Sequence, residues 1–143
     1  MFKFFIRRRV RRKKSILAGF GRRNYLKYKE PARELILRRV EYFNSIYNFS
    51  YGRISVRNQR SRWGSCSKRG NLNFNYKIVL IPEKLADYII VHELCHLKEF
   101  NHSKNFWALV AKTFPDYKKI KQDLRNPEIF HTPPLNLKGR GVV

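Results

Sequence analysis

The spacing of apolar residues predicts that the chain begins its fold with a helix. Ile36, Val40 and Phe43 recur at intervals of four and three residues, so they line one face of a helix. Pro31 suits the first turn of a helix because that turn does not need its missing N–H group. We therefore predict a helix over residues 30–47.

A group of short strands is expected next. Residues 53–57 alternate polar and apolar side chains, as a half-buried strand does. Residues 63–66 and 72–75 flank a turn-forming segment, residues 67–71, in which a glycine or asparagine can take a positive φ; together they predict a β-hairpin. The aliphatic run at residues 78–81 predicts a further strand.

Three helices are predicted to follow the strands. The first runs from Pro82 to about Phe100 and is apolar on most faces, which is typical of a buried central helix. Ser103 is a suitable N-cap for the second. Pro115 opens the third, and Asn126-Pro127 ends it. Strands grouped before helices predict an α+β fold.

The central helix carries a pattern typical of a metal site. His92, Glu93 and His96 form the motif His-Glu-x-x-His, and His102 follows six residues later. Residues four apart share a helix face, so His92 and His96 can bind one ion. A catalytic zinc site has three protein ligands and an open position for water. We predict Zn²⁺ held by the three histidines, with Glu93 as the catalytic base.

Two other interpretations of this pattern stay open. The histidines could be buried and hydrogen-bonded without a metal, although burying several polar groups on an apolar helix is costly. A structural zinc site is disfavoured, since such sites use four ligands and usually cysteine. Cys95 falls on another helix face, and Cys66 would need a contact made by the fold.

Other residues are less favoured as the third metal ligand: Glu99, Asp116, Asp123, Glu128 and His131. Glu99 is expected on the same helix as His96, with its side chain too far along the helix axis. His131 is expected at the surface.

The charge is strongly positive and unevenly distributed. The net charge is +22, and residues 1–30 hold twelve lysines and arginines against one acidic residue. Such a segment attracts polyanions, and its aromatic residues could stack on bases; a solvated extension is the alternative. We predict a basic aromatic extension over residues 1–29, a domain over residues 30–126 and an irregular tail over residues 127–143.

The two cysteines do not form a disulfide framework, and reduced thiols favour a cytoplasmic location. No apolar run approaches the length of a membrane-spanning helix, and the first nine residues do not have the order of a signal peptide.

Four separated segments, residues 62–67, 71–75, 92–97 and 101–107, resemble the YgjP-like metallopeptidase family, which is related to the SprT-like and WLM-type zincins. The resemblance covers about residues 30–125. It implies a minimal zincin fold, zinc bound by the three histidines, and Glu93 as the catalytic residue. Before residue 30 the chain departs from the family pattern.

The expected activity is zinc-dependent hydrolysis of a peptide or protein substrate. An edge strand within residues 63–75 could hold an extended peptide by main-chain hydrogen bonds. One alternative is hydrolysis of nucleotide phosphoanhydrides, since zinc-activated water also attacks phosphorus. Another is a nucleic-acid-binding module that uses residues 1–30.

Overall fold

The computed structural model describes residues 21–131, and these form an α+β domain, as predicted. A long helix comes first, a three-stranded sheet follows, and three helices complete the domain. The elements are α1 Arg22–Tyr47, β1 Ile54–Arg57, β2 Gly64–Cys66, β3 Leu72–Asn75, α2 Glu83–His96, α3 Lys104–Thr113 and α4 Tyr117–Asp123, with 3-10 helices at Tyr76–Leu80 and Pro127–His131.

The sheet has the strand order β1-β3-β2, with β3 in the centre. The predicted hairpin is confirmed: β2 pairs antiparallel with β3, and Gly64 lies opposite Phe74. Gly70 has a φ of +80° in its turn, a conformation that favours glycine. β1 pairs parallel with β3, so β2 forms one edge of the sheet.

Helix α1 begins earlier than predicted. It starts at Arg22, eight residues before Glu30, and Pro31 lies inside it. Tertiary contacts support the extra turns: the ring of Tyr25 packs edge-on against that of Tyr76, with centroids 5.5 Å apart. The predicted boundary between extension and domain, at residues 29 and 30, therefore falls within a continuous helix. Residues 1–20 lie outside the described residues.

An ion pair joins α1 to the central helix α2. The Arg39 Nε donates to Asp87 Oδ1 at 2.7 Å, and Nη2 donates to Oδ2 at 2.8 Å. At the end of α1, the Tyr47 hydroxyl donates to the Leu109 carbonyl at 2.8 Å and so fixes α3 as well. These contacts hold the helices around α2.

The predicted strand over residues 78–81 is wrong, because residues Tyr76–Leu80 form a 3-10 helix. Asn75 begins it: its side chain accepts a hydrogen bond from the Lys77 N–H at 3.2 Å. Ile78 and Val79 are fully buried there. A short aliphatic run indicates burial, but it does not distinguish a strand from a helical turn.

Three further boundaries differ from the prediction. α2 ends at His96 instead of near Phe100, and α4 comprises only Tyr117–Asp123. The start of the predicted irregular tail is the 3-10 helix Pro127–His131, in which Ile129 is buried. Residues 132–143 lie outside the described part of the chain. Within residues 21–131, no helix is both long and apolar enough to cross a membrane.

Candidate metal centre

The three histidines predicted as ligands meet at one point. His92 and His96 lie one turn apart on α2, and the chain turns after His96 and returns with His102. Their Nε2 atoms are 3.2 Å apart for His92 and His96, 3.1 Å for His96 and His102, and 3.2 Å for His92 and His102. All three side chains therefore present the same kind of atom to a shared position.

This arrangement fits a zinc ion. Ligand nitrogens about 2.0–2.1 Å from a tetrahedral zinc lie about 3.3 Å from one another, close to the observed spacing. His96 Nδ1 lies 3.1 Å from the Glu99 carbonyl oxygen and donates to it, which leaves a lone pair on Nε2. The Tyr88 hydroxyl lies 3.3 Å from His92 Nδ1 and orients that ring. Such partners fix the tautomer and direction of metal-binding imidazoles.

Burial keeps two of the rings neutral, the form that binds metals. Burial, together with the neighbouring His96 and His102, lowers the pKa of His92 to about 3. Burial also lowers the pKa of His96, against a hydrogen bond to Glu99 that raises it.

Aromatic residues at the start of α3 support the histidine rings. Phe106 is fully buried and stacks on His96 with centroids 4.4 Å apart. Trp107 stacks on His102 at 5.7 Å. Ser103 begins α3 and accepts from the Phe106 N–H at 3.3 Å. The sequence predicted Ser103 as the cap, but not the contacts of Phe106 and Trp107 with the histidines.

Glu93 is buried between α2 and β2. It is 7% exposed, and burial raises the pKa of its carboxyl group to about 8, against an opposing effect of Arg62. A Cβ at Gly64 would lie 2.9 Å from Glu93 Cγ and 3.0 Å from Oε1. Within the described part of the chain, no hydrogen bond holds this carboxyl group, so it is available to a ligand.

Comparison with known proteins places the chain in a family. The family described as "YgjP-like, metallopeptidase domain" matches residues 11–127. The chain belongs to this family. The match begins about twenty residues before the resemblance noted in the sequence, and it includes the early turns of α1.

Two solved structures resemble the YgjP-like domain. The metallopeptidase zymogen abylysin of Pyrococcus abyssi has a TM-score of 0.57 and 26% identity, covering 62% of this chain and 90% of that one. The metallopeptidase zymogen jannalysin of Methanocaldococcus jannaschii has a TM-score of 0.52 and 25% identity, covering 65% of this chain and 92% of that one. The predicted metallopeptidase fold is confirmed.

A UTP pyrophosphatase of Escherichia coli strain K12 is 43% identical over 44 residues. The match spans 31% of this chain and about a quarter (26%) of that protein. It is a similarity between segments and leaves most of both chains unmatched.

The less favoured ligands do not join the histidines. Among the residues that the structure describes, the group able to hold a metal consists of His92, His96 and His102. Asp116 pairs with Lys84 instead. Glu99 lies beyond the end of α2, so the prediction that it shares a helix with His96 is wrong. Its backbone oxygen accepts a hydrogen bond from His96 and orients that ring. The His131 side chain lies outside the described residues.

The cysteines are free thiols away from the three imidazoles. Cys95 is fully buried, and Cys66 is half-buried in β2. Burial raises the pKa of Cys66 to about 11 and that of Cys95 to about 12, so both are protonated at neutral pH. Among the described residues, neither cysteine belongs to the group of side chains that could hold a metal ion.

Proposed function

We propose that the protein is a zinc-dependent peptidase whose metal is held by His92, His96 and His102. The observation that carries the proposal is the spacing of 3.1–3.2 Å among the three Nε2 atoms. Three protein ligands leave a further coordination position open, as in catalytic zinc sites. Bound there, zinc would polarise a substrate carbonyl and make a water molecule easier to deprotonate.

Glu93 is the base in this mechanism. Its buried carboxyl group, which has no hydrogen-bond partner among the described residues, takes a proton from the attacking water and delivers it to the leaving amine. Burial gives it a pKa of about 8 in the metal-free protein, and a cation nearby lowers the pKa of a carboxyl group. A pKa nearer to neutrality suits proton transfer in both directions.

The sheet offers a place for an extended peptide. In the described part of the chain, β2 pairs on one side only, with β3, and it packs against Glu93 through Gly64. A peptide added to the free edge of β2 would be held by main-chain hydrogen bonds beside the catalytic base. The similarity to two metallopeptidase zymogens supports a peptide over other substrates.

Hydrolysis of nucleotide phosphoanhydrides is the second candidate. The similarity to a UTP pyrophosphatase over 44 residues favours it. The net charge of +22 would attract a nucleoside triphosphate. The match covers too little of that protein to outweigh the two metallopeptidases.

A comparison of substrates separates the two candidates. Zinc-free and zinc-loaded protein would each be incubated with an unfolded protein and with nucleoside triphosphates, with Glu93→Gln as control. We expect zinc-dependent cleavage of the unfolded protein, which Glu93→Gln abolishes. Zinc-dependent phosphate or pyrophosphate release without peptide cleavage would contradict the peptidase proposal and support the second candidate.

We also propose a cytoplasmic location and contact with polyanions through residues 1–30. Arg22, Arg23 and Lys27 are exposed on the first turns of α1. Binding of single-stranded nucleic acid should weaken steeply with salt. It should disappear when residues 1–20 are deleted and Arg22, Arg23 and Lys27 are changed to Ala. Binding that survives these changes would contradict this role.

A further inference from the structure

A surface groove of about 470 Å³ adjoins the candidate metal centre. His96 lies in its wall. On one side is the turn of the hairpin, with Lys68 and Arg69; on the other is the segment after α2, with Leu97, Lys98 and Phe100. A substrate group bound near the imidazoles is therefore next to this groove.

The groove has a positive rim. Lys68, Arg69 and Lys98 are exposed lining residues, and no aspartate or glutamate lines the groove. Within residues 21–131, none of the three forms an ion pair. Three unpaired cations around one groove attract an anionic group.

Part of the groove wall is apolar. Leu97 is half-buried, and the Phe100 ring is 47% exposed. The turn lies against this surface: a Cβ at Gly70 would be 3.6 Å from Leu97 Cδ2. The turn is also fixed internally, because the Gly70 N–H donates to the Ser67 carbonyl at 2.9 Å. The cations Lys68 and Arg69 are thus presented from a well-held turn.

We propose that this groove is the subsite for an acidic side chain of the peptide substrate, close to the bond that is cleaved. Glutamate fits best, since its methylene groups contact Leu97 and Phe100 while its carboxylate faces the three cations. The inference rests on the proposed peptidase function and adds a substrate class to it.

Matched peptides test the subsite. In a fluorescence-quenched peptide that the zinc-loaded protein cleaves, each position around the cleaved bond would be changed from Gln to Glu. We expect kcat/KM to rise about threefold to tenfold at one position. The preference should disappear between about 0.01 M and about 1 M salt, as the screening length falls from about 30 Å to about 3 Å.

Charge-reversal variants test whether the cations of the groove cause the preference for Glu over Gln. Lys68→Glu/Arg69→Glu should reverse the preference for Glu over Gln, measured as the ratio of kcat/KM for the two peptides. Arg33→Glu/Arg38→Glu makes the same charge change at exposed positions of α1 and should retain the wild-type preference. Lys98→Glu is a single change on the other wall and should weaken the preference if the double variant does not fold.

The possible outcomes distinguish a failure of the subsite proposal from a failure of the peptidase proposal. Peptide cleavage without any preference for Glu, or a preference unchanged in Lys68→Glu/Arg69→Glu and Lys98→Glu, would overturn the subsite and leave the peptidase proposal standing. Absence of peptide cleavage would overturn both. In a final experiment, UTP is added as a competitor of the peptide substrate. If UTP inhibits the wild type more strongly than Lys68→Glu/Arg69→Glu while Glu gives no advantage, the groove binds nucleotide phosphates and the proposal is wrong.

Discussion

The backbone of Gly64 lies directly against the side chain of Glu93. A Cβ at this position of β2 would lie 2.9 Å from Glu93 Cγ, 3.0 Å from Oε1 and 3.0 Å from the Asn73 carbonyl oxygen. Apart from atoms of its own residue and its chain neighbours, a Cβ essentially never lies within 3.0 Å of another heavy atom. The absence of a side chain at Gly64 thus sets the position of the proposed base.

Gly64→Ala should impair catalysis without removing the metal. The added methyl group displaces the Glu93 carboxyl group, and a misplacement of about 1 Å can lower a rate about 100-fold. We expect kcat for peptide cleavage to fall about 10-fold to 100-fold, with zinc content unchanged in elemental analysis. Gly21→Ala is the matched control, since a Cβ there meets nothing within 4 Å. Full activity in Gly64→Ala would show that Glu93 is not positioned by this contact.

Zinc should stabilise the folded protein through the three histidines. A ligand that binds only the folded state contributes about 2.7 kcal/mol at a concentration 100 times its Kd. Adding zinc to chelator-treated protein should therefore raise Tm by several degrees in a thermal melt. His96→Ala should remove most of this shift, and His131→Ala, a histidine predicted at the surface, should retain it. A shift that survives His96→Ala but not His131→Ala would contradict the predicted ligand set.

The sequence predicted the hairpin and the histidine cluster correctly because both depend on short-range patterns. The turn needs a positive φ, and Gly70 supplies it within a few residues of both strands. His92 and His96 meet because the helical period places them on one face. His102 joins them through the local turn after α2. The role of these histidines as ligands stays a prediction.

The errors arose where distant contacts decide the structure. Tyr25 packs on Tyr76, and this contact extends α1 past Pro31, which the sequence predicted as its start. The importance of Gly64 follows only from the packing of β2 on α2. No periodicity or motif in the sequence indicates these contacts.

Ser103→Ala should lower stability modestly. The Ser103 hydroxyl accepts a hydrogen bond from the Phe106 N–H at the start of α3, and losing such a cap costs about 0.5–2 kcal/mol. Urea denaturation should show this loss in the free energy of unfolding. Ser103→Asp keeps an acceptor at the same position and should restore most of it. Equal stabilities for the wild type and Ser103→Ala would mean that the cap does not contribute.

Arg39→Ala should be more destabilising than the loss of an exposed ion pair. The Arg39 side chain is 20% exposed and that of Asp87 is 13% exposed, and two hydrogen bonds join them. Removing one partner of a charge-assisted pair with this burial costs about 1–3 kcal/mol. Arg39→Lys should recover only part of this, because lysine cannot make the two parallel hydrogen bonds.

Lys84→Ala provides the comparison for this prediction. It breaks the exposed Lys84–Asp116 pair, and solvent screens such pairs strongly. Lys84→Ala should therefore lower the free energy of unfolding by less than Arg39→Ala does. A larger effect for Lys84→Ala in chemical denaturation would contradict the importance assigned to the contact between α1 and α2.

The central claim is that three histidines hold a zinc ion for which Glu93 acts as the base. The most direct test measures zinc content and cleavage of an unfolded protein on the same preparations of wild type and Glu93→Gln. We predict one zinc ion per chain in both, and cleavage by the wild type alone. Equal cleavage rates in the two proteins, or a wild type that binds no zinc, would contradict the account.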